Sequence, residues 1–161
     1  GHAIAFADLD RDGDQDVYSV MGGAMEGDTF PNALFENPSK SNMNAWITLE
    51  LKGKKANRSA IGARIEIIVL QTNGRLRKIS HTIGTGGSFG AGSLQAEIGL
   101  GDAKEIIQIS IRWPNAKRTI ETHKNFFINK FYRVVEGEKP QVLDKEHIPF
   151  TKMSKMKKDY K

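Results

Sequence analysis

The sequence predicts an all-β chain: an antiparallel β-sandwich or barrel preceded by a shorter strand–loop–strand unit. Three observations carry this. Apolar residues recur with period two along most of the chain, no long amphipathic helical pattern interrupts them, and turn signals return at sandwich-like spacing. At 161 residues the chain is long enough for one sizeable core, and 39% hydrophobic with 27% charged residues is an ordinary globular composition. The longest apolar run, Ile65 to Leu70, is broken by Glu66 and falls far short of a membrane span.

Taken in order, AIAFA (3–7) and DVYSV (16–20) are short and strand-like, and they flank DLDRDGDQD. GGAMEGDTFPN is a loop by its glycines and Pro31, NALFENP is a short strand ended by Pro38, and residues 39–44 read as a linker. AWITLEL then alternates cleanly, with Ile47, Leu49 and Leu51 on one face and Trp46, Thr48 and Glu50 on the other. ARIEIIVL and LRKISHTI flank QTNGR, where Asn73-Gly74 signals a two-residue hairpin. GTGGSFGAGS (84–93) is too rich in glycine for a helix or a regular strand. EIIQISIRW is a strand, PNAKR its turn, RTIET its return, and NKFYRVVEG the last strand. Ile47, Leu49, Leu51, Ile65, Ile67, Ile109 and Ile111 are expected to face inward, because a one-residue slip in register would expose them all. Gly62, Gly84, Gly99 and Gly101 are read as bulges or positive-φ turns, and Trp113 before Pro114 as packing at a sandwich edge.

DLDRDGDQD, residues 8–16, places five aspartates in nine positions with its only glycine sixth. Adjacent carboxylates repel and raise one another's pKa unless something positive lies between them. The loop is either a solvated acidic turn or is built around a cation. With Asp8 as position 1, Asp10, Asp12, Asp14 and Asp16 fall at 3, 5, 7 and 9, and Gly13 at 6. A calcium ion takes six to eight hard oxygens. Aspartate supplies short anionic ones, glycine permits the bend, and position 7 offers its main-chain carbonyl. An EF-hand would place glutamate at position 12, where Ser19 stands, and would need helices on both sides. The pattern therefore reads as a Ca2+ loop between strands, with Asp8, Asp10, Asp12, Asp14 through its carbonyl, and Asp16 as ligands.

Charge is distributed unevenly. Residues 1–38 hold Arg11 against eight acids, a net of −7, so with +5 overall the remainder carries +12. Five of those charges are lysines in the final ten residues, KMSKMKKDYK, which read as a disordered solvated end. The absence of cysteine excludes disulfides and thiolate metal sites. His2, His81, His123 and His147 have no metal-ligand spacing. GTGGSFG lacks the lysine and following helix of a phosphate loop, and no nucleophile elbow is present, so the chain is expected not to be an enzyme.

GHAIAFADLDRDGDQDVYSV, followed by NALFENP, resembles an FG-GAP (VCBS-type) repeat, a blade of β-propellers whose loops bind calcium. NAWITLELKGKKANRSAIGARIEI, GTGGSFGAGS, IGLGDAKEIIQISIRWPNAKR and YRVVEG together resemble an ASPIC/UnbV domain. The family's usual W-P-S-G is here WPNA, and Asn115 is expected to supply the left-handed residue of that turn. The resemblance implies a partial propeller-type repeat over 1–38, a linker over 39–44, an ASPIC/UnbV β domain over 45–137 and a basic tail over 138–161. It implies the C-terminal part of a secreted or cell-envelope protein whose signal peptide lies upstream. The expected role is a non-enzymatic, calcium-binding module for adhesion or for binding a protein or glycan. The alternatives are nucleic-acid or anionic-surface binding by the basic half, and an accessory domain of a sugar-active enzyme.

Overall fold

Every element is a strand among the described residues of this computed structural model, which are 3–23, 25–37, 44–86 and 93–150. Strands β1 (Ala3–Ala7), β2 (Asp16–Val20) and β3 (Ala33–Phe35) form a three-stranded antiparallel sheet in chain order. The remaining strands are β4 (Ala45–Lys52), β5 (Arg64–Gln71), β6 (Leu76–Thr82), β7 (Ala96–Gly101), β8 (Ala103–Arg112), β9 (Ile120–His123), β10 (Lys130–Val135) and β11 (Gln141–Leu143). They make two four-stranded sheets, ordered β11-β10-β4-β7 and β6-β5-β8-β9. The inner faces of these two sheets share one hydrophobic core, so the larger unit is a sandwich and not a closed barrel. No helix among the described residues is long and apolar enough to cross a membrane.

The seven side chains expected inward are all buried, with Ile47, Leu49, Ile67, Ile109 and Ile111 fully so. Period-two alternation dictates this, because each strand turns its apolar face toward the opposite sheet. The hairpin expected between β5 and β6 is present, but its loop has three residues and not two: Gln71 N–H donates to Arg75 O at 2.9 Å around Thr72, Asn73 and Gly74, and only Gly74 takes positive φ, at 80°.

Four expectations are corrected. The sandwich is not purely antiparallel, since β10 runs parallel to β4, pairing Lys130 with Ile47 through Val135 with Lys52. Strand β7, unexpected beside the glycine-rich stretch, pairs with β4 across a register shift at Ala45/Trp46, and the pairing tolerates Gly99 and Gly101 there. Of the four glycines read as bulges or positive-φ turns, Gly84 fits neither, whereas Gly62 and Gly101 take positive φ and Gly99 lies at that register shift. Trp113 is not at an edge: it is fully buried and belongs to the core. Strand β11 also extends the mixed sheet beyond residue 137. The linker residues 39–43, residues 87–92 of the glycine-rich stretch, His2 and the lysine-rich end lie outside the described residues.

One end of the sandwich is tied by Glu136. Its Oε2 accepts the successive main-chain N–H groups of Lys54, Lys55 and Ala56 at 2.8, 2.7 and 2.8 Å, while Oε1 accepts the Asn115 amide at 2.6 Å. Asn115 does not take the left-handed conformation, which falls on Arg118. Its side chain works instead, with Oδ1 accepting the Thr119 N–H at 3.1 Å and Nδ2 donating to Thr119 Oγ1 at 2.6 Å. Burial alone would raise the Glu136 carboxyl, but these hydrogen bonds outweigh it and hold it at about 2. A depressed folded-state pKa contributes stability that is complete above the ordinary value near 4.5 and is lost as pH falls from there toward 2. Glu136→Ala removes the acceptor shared by the part-buried N–H groups of residues 54–56 and the buried Asn115 amide, and is expected to lower stability by about 2 kcal/mol at neutral pH, and by less at pH 3. Urea denaturation of both proteins at the two pH values checks this.

Candidate metal centre

The register of the mixed sheet prepares the floor of the site. Glu97 on β7 and Phe131 on β10 both pair with Thr48 on β4, so the three side chains stand in a row on the face away from the core. Thr48 and Phe131 are nonetheless buried. Trp46 lies edge-on to Phe131, with ring centroids 4.9 Å apart, and Lys145 Nζ sits 5.1 Å from the Phe131 ring centre. The loop between β1 and β2 settles onto this floor. Asp8 N–H donates to Glu97 Oε2 at 3.1 Å, and the Gln15 amide donates to the same oxygen at 3.0 Å. From the other side, Asp10 O accepts Ile148 N–H at 2.7 Å and lies 2.9 Å from His147 Nδ1.

Within the loop the main chain curls around the carboxylates. Arg11 and Gly13 take φ of 64° and 99°, so the bend expected at the sixth position is present. A Cβ on Gly13 would overlap the Trp46 indole, so glycine is required there for clearance as well as for conformation. Asp12 N–H donates to Asp8 Oδ1 at 3.1 Å and to Asp10 Oδ1 at 3.2 Å; Gly13 N–H donates to Asp8 Oδ2 at 3.2 Å. One carboxylate oxygen from each of Asp8, Asp10 and Asp12 lies within 4.8 Å of the others. Asp16 is placed differently. It is 1% exposed, and its two oxygens accept the N–H groups of Leu9 and Asn37 at 3.0 Å each, which straps β1 and the end of β3 to β2. Asp14 N–H donates to Asp12 Oδ1 at 3.1 Å.

The three converging donors are anionic oxygens, and Asp8 and Asp10 are buried; this donor set fits a hard divalent ion such as calcium. Electrostatics points the same way. Burial, then the charges of Glu97 and Asp12, push the Asp8 carboxyl up to about 6, and burial and Asp12 raise Asp10 as well. An ion bound there would hold these groups ionised and cancel the repulsion. A cleft of about 1000 Å³ opens between loop and sheet, bordered by Arg11, Asp12, Gln15, Trp46, Glu97 and Asn129. Glu97 and His147 are absent from the sequence-derived site. Nothing in their local sequence marks them, because sheet register and the return of residues 144–148 bring them there.

These features define an all-β sandwich with an acidic, strand-flanked loop seated on one of its sheets. The chain matches the family described as ASPIC and UnbV over residues 53–141, more than half of its length, and belongs to that family. No curated protein matches it.

Without metal, Asp8 sets a pH dependence of known sign. Its folded-state pKa exceeds the ordinary value near 3.8, so between about pH 4 and pH 6 the folded chain keeps a proton that the unfolded chain has lost. Stability from this group therefore falls as pH rises through that window. In chelator the melting temperature of wild type is expected to fall more from pH 5 to pH 7 than that of Asp8→Asn. Paired thermal melts across pH check this.

Proposed function

We propose that the chain is a non-enzymatic calcium-binding module of a secreted or cell-envelope protein, in which the ion rigidifies residues 8–16 beside a ligand-binding sandwich. The observation that carries this reading is the convergence of Asp8, Asp10 and Asp12 within 4.8 Å on a loop between two strands. Asp14 contributes its carbonyl, and Asp16 holds the loop closed while completing the shell. Extracellular sites of this kind have Kd on the order of 10⁻⁴ to 10⁻³ M, matched to a calcium-rich exterior.

The unit formed by β1–β3 is read as a partial FG-GAP repeat from the C-terminal part of a longer protein. Both faces of its sheet support this reading. Phe6 and Phe35 flank Val17 on one face, and Tyr18 and Leu34 lie side by side on the other, all four of the larger side chains at least 40% exposed. A blade stacked between neighbours covers both faces; a sheet packed on one side leaves one polar. The cleft between loop and sandwich, with amides and carboxylates around Trp46, is the place for a protein or glycan ligand.

The test is a melting series in calcium and in chelator. Wild type is expected to gain stability in calcium by RT ln(1 + [Ca]/Kd), about 1.4 kcal/mol at tenfold excess over Kd. Asp10→Ala and Asp12→Ala should lose that gain and change little in chelator, whereas Asp14→Asn should behave like wild type because only its carbonyl coordinates. A wild type indifferent to millimolar calcium would sink the reading.

A further inference from the structure

Glu97 stands in two opposed relations to the acidic loop. Its Oε2 accepts the Asp8 N–H and the Gln15 amide, so a strand of the sandwich grips the loop near both of its ends. Its charge also opposes the Asp8 carboxylate at close range. A further carboxylate brought up to Asp8, Asp10 and Asp12 is repulsive unless a cation is shared among them. The same seat presses Gly13 against the Trp46 indole and fastens Asp10 O to Ile148 and His147. The charge state of the loop and its position on the sandwich are thus parts of one contact.

From this we infer that ion occupancy of the Asp8–Asp10–Asp12 loop controls how firmly the β1–β3 unit is seated on the sandwich, with Glu97 as the positioning residue that couples the two. The inference rests on the calcium reading above and extends it from a local loop brace to the junction between units. Coupling is reciprocal. Seating brings the Glu97 charge to the site and raises its affinity for a divalent cation; the ion neutralises the carboxylates and tightens the seat. The Glu97 charge therefore favours seating when the ion is bound and works against the hydrogen bonds of the same carboxylate when the ion is absent. A residue acting only as a hydrogen-bond acceptor would act alike in both states.

Trp46 reports on the seat, since it touches Gly13, and the other of the two tryptophans, Trp113, is buried in the sandwich core. The experiment uses the full chain as wild type, Glu97→Gln and Trp46→Phe, with calcium affinity from calorimetry and tryptophan emission recorded in calcium and in chelator. Wild-type emission is expected to shift with calcium, and Trp46→Phe to lose that shift while still binding the ion. Glu97→Gln keeps an acceptor oxygen but not the charge; it should weaken calcium binding about fivefold and narrow the emission difference between the two conditions. If the ion binds while Trp46 emission stays still, or if Glu97→Gln binds as wild type does, the coupling is wrong and the calcium reading stands. If wild type binds no calcium, both fall.

Discussion

The parallel pairing of β4 with β10 is the constraint on which the other parts depend. Trp46 and Asn129, 83 positions apart, open it with reciprocal hydrogen bonds: Trp46 N–H to Asn129 Oδ1 at 3.0 Å and Asn129 N–H to Trp46 O at 2.7 Å. A parallel pair cannot be closed by a tight turn, so the intervening chain must leave the sheet and return. It spends that length building the opposite sheet, β6-β5-β8-β9, and adding β7 to the near one. The core is enclosed as a result. Glu136 fixes the far end of the same pair, gathering Lys54–Ala56 and the Asn115 turn onto one carboxylate.

That sheet has two faces with different duties. The inner one supplies Ile47, Leu49 and Val134 to the core, where each fully buried aliphatic side chain contributes roughly 1.5 to 3 kcal/mol. The outer one carries Thr48, Phe131 and Glu97, and it is covered by the acidic loop and by residues 145–148. A single strand register thus decides both what is packed and what the aspartates meet. Two carboxylates, Glu136 and Asp8, show how context sets sign. Glu136 is held far below its ordinary range because main-chain amides and Asn115 point at it. Asp8 is pushed above its range because burial and the charges of Glu97 and Asp12 outweigh the amides that reach it.

The sequence made the sandwich legible wherever alternation was regular, as in Ile47–Leu49–Leu51 and Ile65–Ile67, because a period of two is a direct imprint of one buried face. It made the loop legible because five aspartates around one glycine have few other physical uses. What it concealed depends on contacts remote in the chain. Strand β7 was hidden by Gly99 and Gly101, which break the local pattern but sit where the pairing shifts register. The parallel direction of β10 has no local signature at all. Asn115 looked like a backbone residue of its turn and proved to be a side-chain one, since its partner Glu136 lies 21 positions away. The roles of Glu97 and His147 came from the same source.

The way Glu136 captures three consecutive amides also separates rigid ground from free ground for protein engineering. The segment around Lys54–Ala56 is fixed in length: one residue more or fewer would move an amide off the carboxylate. The Asn73–Gly74 tip is exposed at the far end of a hairpin whose strands are paired from Leu70–Leu76 inward, and no Cβ at Gly74 would meet a neighbour. An epitope, a fluorophore anchor or a whole guest domain belongs there, because solvent-facing loop tips accept insertions that buried or amide-locked turns reject.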